Sequence, residues 1–207
     1  MRCRALRARR NVSGVSHSNQ YRPQPPVTTG ISAETHLRFT VLYMSDPIDD
    51  PILSAAAATG VGYEIVPCDP ELADTAAFCE AYGFRPDQSA NAIVVVGKGD
   101  PRVYSACLVL ATTRLDVNGV VRKRFGVRKA SFASADETAE MTGMQIGGVT
   151  PYGLPDGLPI WIDHRVMACD QVIVGGGSRD RKLLVPPASL AALPGAEIVE
   201  HLAKPFE

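Results

Sequence analysis

Two glycine-rich stretches carry the residues whose types and spacing suit chemistry. Gly147-Gly148-Val149-Thr150-Pro151 is a G-x-x-x-P turn, and Gly175-Gly176-Gly177-Ser178 is a run of three glycines closed by a hydroxyl. Backbone N–H groups left unpaired in such turns can grip an anion or polarise a carbonyl oxygen. The first turn lies in Thr142–Pro159, eighteen residues with five glycines, three prolines and one charge, Asp156. A solvated linker would be richer in Ser, Lys and Glu. Met144, Ile146, Val149, Tyr152, Leu154 and Leu158 instead predict a loop packed on the core, with its backbone turned toward a ligand or simply making a tight connection. The second turn lacks G-x-x-x-x-G-K-[ST], and a strand pattern rather than a helix follows it. A phosphate loop needs a helix N-terminus behind it, so the expectation is a turn between strands that lines a pocket.

Side-chain nucleophiles are not apparent. There is no G-x-S-x-G elbow and no cysteine with an evident histidine partner. Asp163 and His164 are adjacent at a predicted strand end, so they point to opposite faces and make a poor acid–base dyad; His164 reads as a surface or capping residue. The histidines (17, 36, 164, 201) show no ligand spacing, so neither a metal site nor a cofactor is expected. Five cysteines (3, 68, 79, 107, 169) are an odd number without C-x-x-C. Cys68, Cys107 and Cys169 sit among apolar neighbours and read as buried reduced thiols, which suits the cytosol.

Charge is unevenly spread. Residues 1–30 hold six arginines and no acid, whereas the rest holds 15 basic and 22 acidic residues. A mildly acidic body argues against a general nucleic-acid coat protein. Three basic clusters stand out: Arg122-Lys123-Arg124, Arg128-Lys129, and Arg179 with Arg181 and Lys182. Brought together they would form a phosphate-binding stripe; apart, each is a solvated face. The apolar share of 45% and charged share of 21% are ordinary for a globular chain. No apolar run nears the roughly 20 residues of a membrane span.

Residues 1–36 lack hydrophobic periodicity and read as disordered. The tail could be a transit peptide or, as favoured here, residues 1–43 are a non-native extension ahead of a start at Met44. Cap signals place helices at Pro51–Thr59, Pro70–Tyr82, Asp116–Phe125 and Pro186–Leu193, and a capping box at Ser134–Glu137 opens another ending near Thr142. Strand-length apolar runs fall at Tyr63–Pro67, Ala90–Val96, Val103–Ala111, Arg128–Phe132, Pro159–Asp163, Gln171–Val174, Lys182–Val185 and Ala196–Val199, with a hairpin turn at Gly97–Asp100 and a helical turn at His164–Cys169. Hairpins and helices mix without a βαβ rhythm. The class is α+β, a single domain over 44–207 with a mixed, largely antiparallel sheet.

The order of V-R-K-R-F-G-V-R-K-A-S-F-A-S, T-G-M-Q-I-G-G-V-T-P-Y-G, P-I-W-I-D and V-I-V-G-G-G-S-R-D-R-K-L-L-V-P-P-A-S-L resembles the YbaK/prolyl-tRNA-editing-domain family, over about Pro51 to Ala203. The resemblance implies a barrel-like sheet flanked by helices and a trans-editing aminoacyl-tRNA deacylase, which hydrolyses the ester of a mischarged tRNA. The implied partners are the tRNA acceptor end and an aminoacyl-tRNA synthetase, with no membrane. Editing of this kind exists because a synthetase pocket cannot strongly reject a smaller or isosteric amino acid. The family's G-x-x-x-P loop falls on Gly147, Gly148, Val149, Thr150 and Pro151, whose backbone would hold the aminoacyl carbonyl or terminal ribose. Gly176, Gly177, Ser178, Arg179, Arg181 and Lys182 would bind substrate. The family also places a lysine at the start of the apolar strand. Here that position is Asn91, or Ala90 if the register shifts by one. Asn91 can hydrogen-bond but carries no charge. Lys98 lies seven residues on, about 23 Å along a strand. The chain is thus either an editing enzyme with altered chemistry or a member that binds a tRNA end or aminoacyl-like ligand without hydrolysis.

Overall fold

The computed structural model describes residues 50–206, so the expected tail and the start at Met44 lie outside the described residues. Asp50 opens the first helix, α1 (Pro51–Ala58): its Oδ1 accepts from the N–H of Ile52 at 2.9 Å and of Leu53 at 3.2 Å, with proline in the first turn. Strand β1 (Glu64–Pro67) follows.

The predicted helix over 70–82 is broken. A 3₁₀ turn occupies Pro70–Leu72, and α2 runs only over Thr75–Tyr82. The reason lies far away in the chain. Lys182 Nζ donates to the Ala73 carbonyl at 2.6 Å, and Arg179 donates to the Pro70 carbonyl at 3.0 and 2.7 Å. Carbonyls that an unbroken helix would use internally are turned outward to two cations.

Strands β2 (Ala90–Gly97) and β3 (Val103–Leu110) form the expected antiparallel hairpin. β4 (Thr113–Leu115) leads to a π turn at Val117–Val121 and a short helix α3 (Arg122–Phe125), where one continuous helix was expected. Asp116 Oδ1 accepts from the Gly119 N–H at 3.1 Å and holds the wider turn. β5 (Ala130–Phe132) precedes α4 (Ala135–Thr142). The capping box is present as read: Ser134 Oγ accepts from Glu137 N–H at 3.1 Å, and Glu137 Oε2 from Ser134 N–H at 2.9 Å. After the glycine–proline loop come β6 (Ile160–Asp163), β7 (Val172–Gly175), β8 (Arg181–Val185), α5 (Pro187–Ala191), β9 (Ala196–Val199) and β10 (Ala203–Pro205).

The main sheet has the order β5-β2-β3-β6-β9. Its β5–β2 and β2–β3 pairings are antiparallel, while β3–β6 and β6–β9 are parallel. A second sheet, β1-β8-β7, and the pair β10-β4 are wholly antiparallel. The class is therefore α+β with mixed, largely antiparallel strands, as expected. The barrel-like closure is not: among the described residues the strands form three separate sheets. The two larger ones meet at a single parallel bridge, Ser89↔Ile173, too little pairing to close a barrel.

Between those sheets lies the largest apolar cluster, with Leu108, Tyr152, Ile162, Val172, Leu183 and Leu190 buried. The other face of the main sheet packs Val95, Cys107, Val109, Val121 and Trp161. The outer face of the small sheet is covered by α2 through Phe78, with Ile173 and Leu184 against it. The central strands of both sheets are thus buried on two faces, and a side chain of β8 meets protein whichever way it points.

Candidate functional site

The two glycine runs form one unit. Glycine is required where they touch. A Cβ on Gly148 would fall 2.7 Å from the Ser178 backbone, and one on Gly175 would fall 2.0 Å from the Val149 carbonyl oxygen. The Gly177 N–H donates to the Gly148 carbonyl at 2.8 Å and locks the turns together. Arg179 fastens the same loop by donating to the Ile146 carbonyl at 2.8 Å.

Beside this unit opens a cavity of about 430 Å³, of the size that takes small ligands. Its floor is the first half of β2, with Asn91, Ile93 and Val94. Gly147 and Val149 form one wall, Gly175 and Lys182 another, and Thr75, Phe78 and Phe132 the rim. Asn91 is half-buried, and its Oδ1 accepts from Thr75 Oγ1 at 2.6 Å. Ala90 is buried beside it in the core. The backbone N–H groups of Gly147 and Val149 have no acceptor among the described residues. Gly148 N–H is used by the Gln145 carbonyl at 2.9 Å, and Thr150 N–H faces Met144 Sδ at 3.4 Å. Thr150 and Pro151 are buried behind the loop, and Thr150 Oγ1 is a buried hydroxyl without a partner among the described residues.

The sequence groups Lys182 with Arg179 and Arg181 as one basic cluster, part of a phosphate-binding stripe or else a solvated face. Lys182 is only 6% exposed. Its ammonium donates to the Gly147 carbonyl at 2.7 Å as well as to Ala73, and lies 5.6 Å from the centre of the Phe78 ring. Burial pushes its pKa below the ordinary lysine value, and the nearby Arg179 pushes the same way against partial relief from Cys68 and Asp74. An ammonium has three donors, and the two carbonyls leave one for a ligand. The strand itself held the clue. In Arg181-Lys-Leu-Leu-Val, Leu183 and Val185 share one face and Lys182 shares the other with Leu184, an apolar residue that marks that face as covered too.

Other expected site residues part company. Gly176 packs on Arg181, Gly177 on Ile52 and Ser178 on Gly148, so these three buttress the loop from behind, and Gly175 takes the cavity wall instead. Arg181 donates to the Gly176 carbonyl at 2.8 Å and pairs with Asp50. Burial alone would raise the Asp50 pKa, but the Arg181 hydrogen bond and charge and two backbone N–H groups outweigh it, and the pKa is lowered. Arg179 is held by Pro70, Ile146 and, at 3.6 Å, Asp74. The single stripe imagined from sequence does not form: Arg179, Arg181 and Lys182 are internal fasteners, whereas Arg122, Arg128 and Lys129 line a different cavity together with Lys98.

The remaining polar candidates have structural places. Asp163 is fully buried; Oδ1 accepts from Arg165 N–H at 3.0 Å, and Oδ2 from Ala203 N–H at 2.9 Å. His164 does meet Glu200 and His201, so three side chains of ligand type, which the spacing hid, stand together at the surface. His164 Nδ1 already accepts from His201 N–H at 3.2 Å there. Cys68, Cys79 and Cys107 are buried thiols, while Cys169 is only half-buried, contrary to its apolar neighbours in sequence. Burial pushes the Cys107 thiol up to about 12, which leaves it inert. Among the described residues no helix is long and apolar enough to cross a membrane.

A curated relative, the uncharacterized protein YwhH of Bacillus subtilis (strain 168), is 28% identical over 128 residues, which are 62% of this chain and 79% of that one. A solved structure described as a candidate trans-editing enzyme for prolyl tRNA synthetase superposes with a TM-score of 0.64 at 26% identity, covering 78% of this chain and 99% of its own. The hypothetical protein APE2540 shares the fold at a TM-score of 0.66 and 21% identity, over 73% of this chain and 98% of its own. The model of the aminoacyl-tRNA editing domain matches residues 69–193, which run from the cap of the 3₁₀ turn through both glycine runs to the end of α5. With more than half of its length inside that match, the chain belongs to the aminoacyl-tRNA editing domain family.

Proposed function

We propose that the protein is an aminoacyl-tRNA deacylase acting in trans, in the cytosol, on tRNA carrying the wrong amino acid. The observation that carries this reading is one cavity lined both by Gly147 and Val149, whose N–H groups have no acceptor among the described residues, and by the buried ammonium of Lys182. An ester carbonyl seated there would have its developing negative charge met by fixed donors in a site of low dielectric, the arrangement that gives oxyanion stabilisation its strength. Water adds to the carbonyl carbon, the oxyanion forms against the loop, the bond to the ribose oxygen breaks, and that oxygen leaves with the proton the water gave up. The products are the free amino acid and the tRNA 3′ hydroxyl. No side-chain nucleophile is needed. The Asn91 amide, with its oxygen occupied by Thr75, offers its NH₂ to orient the ester or the water. Phe78 and Ile93 supply apolar surface for the amino-acid side chain.

On this reading Lys182 supplies from β8 the charge that the family resemblance places at Asn91 on β2. One observation favours the other reading, binding without turnover. Two of the three Lys182 donors are already engaged by carbonyls, which spends part of its charge on the protein. The deciding experiment is incubation of the purified protein with a panel of mischarged tRNAs. Hydrolysis of one or more well above the spontaneous rate is expected, and a blank panel alongside measurable tRNA binding would assign the binding role. Asn91→Lys sharpens the result. In a folded variant it raises deacylation if the β2 position lacks only charge, and leaves it unchanged if Lys182 already fills the role.

A further inference from the structure

A second cavity, of about 480 Å³, is lined by Lys98, Asn118, Arg122, Arg128, Lys129 and Ala130. Its four cations come from two separate chain segments. The loop after β2 brings Lys98, and the Lys98 N–H donates to the Lys129 carbonyl at 2.8 Å, which fixes the two segments side by side. None of these four cations has an ion pair among the described residues, although acids outnumber bases outside the tail. Arg122 Nε is also buried without a hydrogen-bond partner among the described residues. Buried donors are ordinarily satisfied, and four like charges around one cavity attract an anion, which would also give the Arg122 Nε its acceptor.

The place of this cavity matters as much as its charge. Ala130 lines it, whereas Phe132, on the same face of β5 two residues further on, lines the cavity that holds Lys182. The two cavities thus share strand β5, with lining residues about 7 Å apart along it. Phe132 stands between them and is 54% exposed, a large apolar ring that covers no core. A row of cations beside an exposed aromatic ring is how proteins hold single-stranded nucleic acid: the cations track the phosphates and a base stacks on the ring.

We propose that the Lys98–Arg122–Arg128–Lys129 cavity binds a backbone phosphate of the single-stranded 3′ end of the tRNA, with Phe132 stacking a base between it and the ester site. The assignment rests on the deacylase reading for its substrate, but not for its test. The probe is a short single-stranded RNA ending in CCA, not aminoacylated, bound to the intact chain and followed by fluorescence anisotropy across a salt series. Removing two of the cations around that phosphate with Arg128→Ala/Lys129→Ala is expected to weaken binding about tenfold or more. It should also lower the log–log salt slope by about 0.7, the contribution of one neutralised phosphate on a single strand. Phe132→Ala should weaken binding about fivefold or more with the slope unchanged, since it removes stacking and no charge. Melting curves of the variants should match the wild type, because these residues are exposed. Arg122→Gln, which keeps a side chain of similar reach, serves as a second charge variant and should also flatten the slope.

Wild-type slopes in the double variant and in Arg122→Gln would overturn the proposal, even if the protein hydrolyses mischarged tRNA. Displacement of the bound RNA by inorganic phosphate or pyrophosphate at concentrations below the RNA's own Kd would overturn it in favour of a free-phosphate site. Loss of RNA binding in the variants of a protein that hydrolyses none of the tRNA panel would sustain it, and the deacylase reading alone would fail.

Discussion

Arg122–Lys129 and Arg179–Lys182 look alike in sequence, each a cluster of arginine and lysine beside a predicted strand. Their fates in the fold are opposite. In the second cluster every cation is engaged by the protein: Arg179 by the Pro70 and Ile146 carbonyls, Arg181 by Gly176 and Asp50, Lys182 by Ala73 and Gly147. In the first cluster only Arg124 is so used, lying 4.7 Å from the Trp161 ring centre and paired with Glu197. Local basicity therefore says little about purpose. What separates the clusters is whether the face they occupy is covered by another element, as β8 is by α2, or left open, as β5 is at the sheet edge.

The sharpest attempt to break this contrast is Lys182→Met. It leaves the Ala73 and Gly147 carbonyls without their donor, and a buried unsatisfied group costs about 1–3 kcal/mol. A loss of roughly 2 kcal/mol, or about 4–8 °C in melting temperature for a domain of this size, is expected together with a fall of about a hundredfold or more in deacylation. A variant that melts and reacts like the wild type would return Lys182 to the solvated class. The pH profile gives an independent reading. Because burial depresses the Lys182 pKa below the ordinary value near 10.4, its charge is lost at a lower pH than an exposed lysine's. The catalysed excess over spontaneous hydrolysis should therefore decline on the alkaline side in the wild type. Lys182→Met should show no such decline.

Asp50→Asn tests the Arg181 arm. Folding lowers the Asp50 pKa below its unfolded value near 3.9, so its stabilisation is fully present above that value and drains away as the pH falls through the lower folded pKa. A loss of about 1 kcal/mol at pH 7 is expected, shrinking as the pH drops below about 4, by urea melts at a series of pH values. A pH-independent difference would mean that the pair contributes geometry rather than charge. Arg124→Ala comes next, at about 0.5–1 kcal/mol for a cation over a tryptophan at a partly open site. Smallest of all is Lys123→Ala, exposed and without an ion pair among the described residues, which should stay within about 0.5 kcal/mol of the wild type.

The same contrast explains what could be read from the chain. Caps and turns are local, so Asp50-Pro51, the Ser134 capping box and the Gly147–Pro151 loop announce themselves within a few residues. The packed, uncharged character of that loop was legible for the same reason. The break before Thr75 was not, because its causes, Lys182 and Arg179, stand 109 residues from the carbonyls they capture. The inward aim of Lys182 was hidden behind the habit of reading lysine as surface, although Leu184 on the same face argued otherwise. Barrel closure came with the family resemblance and not from any residue. Sheet closure depends on how many strands pair at one corner, a quantity that no single stretch of sequence encodes. The meeting of His164 with Glu200 and His201 was equally invisible, since it is made by the parallel pairing of β6 with β9.

The interlocking of the two glycine turns has a consequence for anyone who wishes to redesign this protein. Gly148 lies against Ser178, and Gly175 against the Val149 carbonyl, with no room for a methyl group at either contact. A loop 147–151 borrowed from a relative would bring its own backbone path but meet the old 175–178 turn as its mould. Transplants of either segment alone should give insoluble or poorly folded protein, whereas both moved together should fold. For the purposes of engineering, the two runs are a single part written in two places.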